Sequence, residues 1–376
     1  MKTKHHSGAF TLIEVMVAAG IVVIIMGVLL AMTDQTQRLV KTTSAKVEQF
    51  QEARVAFEAV TRHLAQATLN AFWDYKKSGT TGVPTGYERK AELRFHSGPT
   101  KTLNTSVVPG GNQQPGHAVF FQAPIGRVED TVKLGALDHL MNTWGYFLEI
   151  GTDAATLPAF LKAAVPPRKR YRLMELMEPS EQFSVYKFQG DTNNNRWFTT
   201  SLSSNTRPVK VLAENIVALI VLPRLSLADE KRITNPILTG KNGINPKTYL
   251  YDSTDTGNYN PNVTDNPATN NPLLNTYNQL PPVVQVIMVA IDEPSARRLE
   301  DLPGNDKFMG IGYAPDPLTG RTLFANPALL DDTKSNASGD LTTFQNLLTY
   351  RKVAYRVFST NVTIKGSKWS LHTSNN

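Results

Sequence analysis

A chain of 376 residues, 41% of them hydrophobic and 9% aromatic, is long enough for one large domain or two small ones and too apolar to be disordered throughout. It has no cysteine, which excludes disulfides, cysteine nucleophiles and thiolate metal sites without fixing a compartment. Its 39 Lys and Arg against 32 Asp and Glu give a formal charge of +7, but the densest basic run is only Arg168-Lys169-Arg170, which describes a solvated basic surface rather than a nucleic-acid stripe.

Residues Val15 to Met32 carry no charge, and extending the run back to Phe10 adds a single acid, Glu14. As a helix, these residues span roughly 34 Å, enough to cross a bilayer core. Lys2 and Lys4 stand ahead of the run and favour a cytoplasmic amino end. A conventional secretory signal has a shorter apolar stretch closed by a small-residue cleavage site. Here the run is longer, and Thr33, Asp34 and Gln35 continue it without such a site, so the segment is expected to be retained. A carboxylate inside an apolar run is costly, so Glu14 either has a partner or marks the interface end of the span.

No Gly or Pro occurs from Val28 through Ser78. Within that stretch Val40, Thr43, Val47, Phe50, Phe57, Val60, Leu64 and Ala67 recur at helical spacing, with Lys41, Lys46, Glu48, Glu52, Arg54, Glu58 and Arg62 between them. The pattern predicts one nearly continuous helix from about Phe10 to about Phe72. After Asp74, Gly and Pro become frequent and short β-rich runs take over. Strands are expected at Ala91–His96, His117–Gln122, Trp144–Ile150, Tyr171–Met177, Phe183–Gln189, Ile216–Leu222, Val283–Ile291 and Val353–Thr363. Short helices are expected at Ser295–Leu299 and Thr342–Tyr350. From Asn235 to Pro282, five Asn-Pro pairs among Thr, Asp, Gly and Tyr predict a long loop, either an exposed contact surface or a solvated insertion. The fold class is therefore α+β, a long amino-terminal helix packed on an antiparallel sheet head. Residues 10–32 form the transmembrane part of the helix, 33–73 its amphipathic continuation and 74–376 the head.

Motifs for chemistry are missing from the sequence. The seven histidines form no H-x-x-x-H or H-E-x-x-H spacing, and there is no G-x-S-x-G, phosphate loop or dinucleotide fingerprint. Asp191-Thr192-Asn193-Asn194-Asn195 begins like a calcium loop, but Arg196 and Leu202 stand where such a loop needs Gly and Glu. The expectation is a protein that is not an enzyme, with no catalytic residues, metal or cofactor. The alternative is a surface-binding protein or enzyme on a membrane anchor.

Gly8-Ala9-Phe10-Thr11-Leu12-Ile13-Glu14-Val15, behind a short basic leader and ahead of the apolar run, resembles the cleavage and methylation motif of type IV prepilins. The resemblance covers about residues 8 to 32 and implies a pilin-like fold. It further implies a leader of residues 1–9, removed by a prepilin peptidase in the region of Gly8, Ala9 and Phe10, and N-methylation of Phe10. Glu14 becomes the carboxylate that pairs with a neighbouring subunit's terminal amine during assembly. The family has Gly directly before the Phe, whereas Ala9 intervenes here. A cut after Ala9 leaves Glu14 fifth in the mature chain, and one after Gly8 leaves it sixth; the register favours the first.

The later runs Val211-Leu212-Ala213-Glu214-Asn215-Ile216 and Leu280-Pro281-Pro282-Val283-Val284-Gln285-Val286 resemble large minor-pilin heads of the PilW and GspJ type. Ala218-Leu219-Ile220-Val221-Leu222-Pro223-Arg224-Leu225-Ser226 is similar to the family called Verru_Chthon cassette protein C. What this implies is a minor pilin or pseudopilin of a type IV pilus or type II secretion fibre. Its partners would be other pilin-like subunits, the peptidase, an inner-membrane assembly platform and membrane lipid. It would cross the inner membrane once, its head periplasmic or extracellular.

Overall fold

The structure is a computed structural model that describes residues 11–369 apart from 80, 104–115, 138, 155–156, 190–194, 205, 233–242, 246–247, 256–257, 260–273, 301–321 and 332–338. The chain divides into two compact units, residues 1–49 and 50–376.

Helix α1 runs from Leu12 to Leu64 without interruption, as the absence of Gly and Pro after Gly27 predicts. Its part within the second unit buries Ala53, Ala56, Phe57, Val60 and Leu64, a stripe at three- and four-residue steps. The helix stops short of the expected end at Phe72. The N–H groups of Gln66 and Ala67 tighten onto the carbonyls of His63 and Leu64, and that of Thr68 leaves the helix for the carbonyl of Gln122 at 2.9 Å. Asn70 then turns with φ of 51°. A sheet hydrogen bond and a left-handed Asn outcompete two further turns of good helical composition.

Two strands that the sequence did not predict follow, β1 (Phe72–Lys77) and β2 (Pro84–Lys90), paired as a separate antiparallel hairpin. The chain continues through β3 (His96–Pro99), β4 (His117–Pro124), α2 (Thr131–Leu134), β5 (Met141–Thr152), β6 (Lys169–Glu178), α3 (Arg196–Ser203), β7 (Val209–Glu214) and β8 (Ile216–Arg224). Then come α4 (Leu227–Arg232), β9 (Tyr251–Asp252), β10 (Asn258–Tyr259), β11 (Leu274–Asn275), β12 (Val283–Ile291), α5 (Glu293–Glu300), α6 (Asp340–Tyr350) and β13 (Tyr355–Thr363). A six-stranded antiparallel sheet has the order β7-β6-β5-β4-β3-β9, and a three-stranded one the order β13-β12-β8. The chain passes from the first sheet to the second at Asn215 alone, a non-glycine residue at φ of 59°.

β8 and β12 are buried along almost their whole length. Val284, Val286, Met288 and Ala290 join the large core shared with α1 and the six-stranded sheet, while Ile287, Val289 and Ile291 join a second core beneath α5 and α6. Two covered faces explain why these strands read as near-continuous apolar runs, with Gln285 the one polar residue inside β12. On the six-stranded sheet, His63 of α1 lies against Trp144 on one face, and Phe198 of α3 stacks on Phe120 on the other at 4.0 Å. After β13, the chain returns to the end of α1: the N–H of Lys365 donates to the carbonyl of Ala65 at 3.0 Å, and that of Ile364 to Pro282.

Two expected strands are corrected. Ala91–His96 contributes only His96, because the N–H of Arg94 is taken by Gln122 Oε1 and that of Phe95 by Ser253 Oγ, so side chains replace the ladder. Phe183–Gln189 instead contains a short 3₁₀ turn, Val185–Phe188, because buried Glu178 accepts from Ser184 Oγ and from Ser201 Oγ of α3, tying the segment into a turn. In the expected 235–282 loop, Ile244, Tyr249, Tyr251 and Leu280 are buried, and Tyr251 pairs with Ser97 at the sheet edge. These residues of that loop therefore belong to the head's core.

Gly145 sits mid-strand opposite Phe120. A Cβ there would lie 2.4 Å from one Phe120 ring atom and 3.2 Å from Leu176 Cβ. The ring cannot retreat, since Phe198 stacks on it. Gly145→Ala is expected to lower stability by about 2 kcal/mol, read from urea unfolding of the full chain.

Candidate functional site

The amino-terminal segment begins at Thr11, the N-cap of α1. Its Oγ1 accepts the N–H of Glu14 at 3.4 Å, and Glu14 Oε2 accepts the Thr11 N–H at 3.0 Å and the Thr11 hydroxyl at 3.0 Å. This is a capping box, in which a Thr and the acid three residues on satisfy each other's orphan amides. The T-L-I-E core of the motif therefore builds the start of its own helix. Glu14 also sits in the first turn, where the helix dipole favours a negative charge.

From Leu12 to Gln37 the helix is long and apolar enough to cross a membrane, and none of its apolar window is buried within the chain. Leu12, Ile13, Val17, Ile21, Ile24 and Leu30 are all more than half exposed, so the helix is apolar around its circumference instead of along a stripe. At its far end, the hydroxyls of Thr33 and Thr36 donate to the carbonyls of Leu29 and Met32, both at 2.8 Å, which hides their polarity inside the helix. Gly8, Ala9 and Phe10 lie outside the described residues, so the geometry places Glu14 and its cap but not the cleavage position.

The histidines of the second unit that the structure describes inside the fold are packing residues. His63 bonds Tyr146 Oη at 2.6 Å, and that hydroxyl donates to buried Glu175 at 3.0 Å. Burial draws the His63 pKa down, with Glu175 opposing. His96 lies between Asp252, at 2.8 Å, and Asn195, also at 2.8 Å. Of the calcium-like run, Asp191 to Asn194 lie outside the described residues. Asn195 is engaged with His96 and with the carbonyl of Leu103. Among the described residues, no group of three or more His, Asp or Glu is placed to hold a metal ion.

One arrangement was missed from sequence. A cleft of about 430 Å³ opens beside the β1–β2 hairpin, lined by Asn70, Trp73, Arg89, Asn278 and Lys368 among others. The Arg89 guanidinium lies 4.8 Å from the centre of the Trp73 ring. The signal was the mix of aromatics and cations in FWDYKK and YERK, which fits neither a helical stripe nor a one-faced strand.

A family model described as the prokaryotic N-terminal methylation motif matches residues 4–30. Neither a curated protein nor a solved structure matches the chain.

Proposed function

The chain is type IV prepilin-like at its amino terminus, and on that premise we propose that it is a minor pilin or pseudopilin, assembled into a fibre through α1. The observation that carries this reading is the methylation motif of residues 4–30 running into a wholly exposed apolar helix whose only early acid is Glu14. Such a helix is unstable in water and stable in lipid or in a bundle of like helices. A carboxylate carried into that bundle needs a cation, and the amine freed by cleavage beside Phe10 supplies one. The peptidase acts at Gly8-Ala9-Phe10, Phe10 receives the methyl group, and an inner-membrane platform extracts the subunit. The head then lies on the periplasmic or extracellular side. A unit running from residue 50 to 376 suits a position used once or a few times per fibre.

Glu14→Gln separates the charge from the cap, because Gln serves equally in a capping box. The variant is expected to insert and be processed normally but to fall about tenfold or more in sheared fibres of the native host, measured by immunoblot against the membrane fraction. Normal incorporation of Glu14→Gln would remove the pairing role. Mass spectrometry of the mature peptide in the same preparation reads the processing. N-methylated Phe10 supports the cut after Ala9, an Ala9 start moves Glu14 by one position, and an intact Met1 overturns the pilin reading.

A further inference from the structure

The cleft beside β1–β2 has a volume in the range of small-molecule sites. One wall is Trp73, half exposed on β1. Across its face lies the guanidinium of Arg89, itself partly buried on β2. Among the described residues no carboxylate forms an ion pair with Arg89. Burial lowers its pKa from the ordinary value, with Tyr251 acting the other way. A cation that has lost hydration without gaining a counter-ion is the feature a bound anion would complete. Exposed Lys368 lines the same cleft and adds a second positive charge.

Two asparagines of the lining suit hydroxyl groups. Asn70 and Asn278 both hold left-handed backbone, at φ of 51° and 54°. Each is anchored through its Nδ2, Asn278 to the Arg89 carbonyl at 2.7 Å and Asn70 to Glu92 at 3.0 Å. Their amides are thus held in place along the cleft. Open indole surface, fixed amides and a guanidinium stacked on Trp73 without a carboxylate partner among the described residues together match a ring with apolar C–H faces, hydroxyl edges and one negative charge.

We propose that this cleft binds an acidic saccharide, with a sugar ring against the half-exposed indole surface of Trp73 that Arg89 leaves open and its carboxylate or sulfate on Arg89 and Lys368. A bare anion would leave most of the cleft and its aromatic wall unused. A neutral sugar would leave Arg89 without a counter-ion. The inference rests on the second unit alone and stands whichever machine carries the chain.

The test uses the full chain in detergent. Because it has no cysteine, Val132→Cys, at a residue 94% exposed on α2 and not lining the cleft, accepts a single fluorophore. The labelled protein is applied to an array of uronic, sialylated, sulfated, neutral and amino glycans. The strongest acidic hit is then titrated beside its carboxyl-reduced or desulfated counterpart and beside sodium sulfate. Acidic glycans are expected to dominate, with the neutral counterpart and the Arg89→Gln and Trp73→Ala variants each about tenfold weaker. Lys368→Gln, at an exposed position that cannot unfold the head, is expected to weaken binding about threefold. Equal retention of neutral glycans, no retained glycan at all, or affinity unchanged in both Arg89→Gln and Lys368→Gln would overturn the proposal. Sodium sulfate competing at the same concentration as the saccharide would reduce the cleft to an anion site and would also overturn it.

Discussion

Glu149→Ala is expected to lower the unfolding free energy by about 3–5 kcal/mol. Glu149 is 1% exposed on β5, directly opposite Arg172 on β6. Its Oε1 accepts from Arg172 Nη2 at 3.0 Å, and its Oε2 accepts from Arg207 Nη2 at 2.7 Å. Removing the carboxylate strands one buried and one partly buried guanidinium, whose desolvation was tolerable only because the acid sat between them. Glu149→Gln keeps an acceptor and is expected to cost about half as much. Replacing all three groups, Glu149→Leu with Arg172→Met and Arg207→Met, is expected to recover most of the loss, since well-packed apolar side chains match buried ionic groups. Urea is the denaturant to use, because guanidinium salts screen the charges in question. A cost below about 1 kcal/mol for Glu149→Ala would show that water reaches both guanidiniums.

Acidification from pH 6.5 toward about 4 is expected to remove roughly 3 kcal/mol of stability through His117 alone. Burial lowers this residue's pKa from 6.5 to about 4. Its Nδ1 accepts the N–H of Val221 at 3.2 Å, so the proton sits on Nε2, which donates to the Phe324 carbonyl at 3.1 Å. The ring of Tyr249 covers it at 4.5 Å. An imidazolium there would lose the bond from Val221. The sign follows: the unfolded chain takes up a proton below pH 6.5 while the folded one refuses it until about 4, so stability falls as pH falls through that window. His117→Gln removes the titration. The variant is expected to be less stable above pH 6.5, with a flatter curve below it. Parallel curves for the two proteins would assign the acid sensitivity elsewhere.

Legibility in the sequence followed burial. β8 and β12 were visible because both faces are covered, which leaves near-continuous apolar runs rich in Val and Ile. α1 was visible because a stripe at helical spacing persists with no Gly or Pro to break it. Its end was not visible, because Thr68 bonds Gln122, a residue far along the chain. The β1–β2 hairpin was invisible for a different reason: Phe72, Trp73, Tyr75 and Tyr87 are all exposed, so no alternation of buried and exposed positions marks it. Segments 91–95 and 183–189 have the composition of strands, but side chains take their backbone bonds. The amino-terminal site was legible because Thr11 and Glu14 lie within one short motif and satisfy each other locally. The cleft was not, because its lining comes from four separated stretches, and its chemistry depends on what Arg89 lacks.

The return of the carboxyl-terminal residues to the end of α1 sets the order in which the head can be completed. Lys365 is synthesised long after Ala65, yet its N–H holds the Ala65 carbonyl. β13 covers one side of β12 along nine paired residues, so until it emerges that edge stands open. A chain made amino end first therefore has its leading helix finished long before the head can close. The long separation between partners makes closure slow, since the loop entropy is spent before the contacts form. During that interval the nascent head is a sheet with an unpaired apolar edge, which is the state a holding chaperone would have to protect.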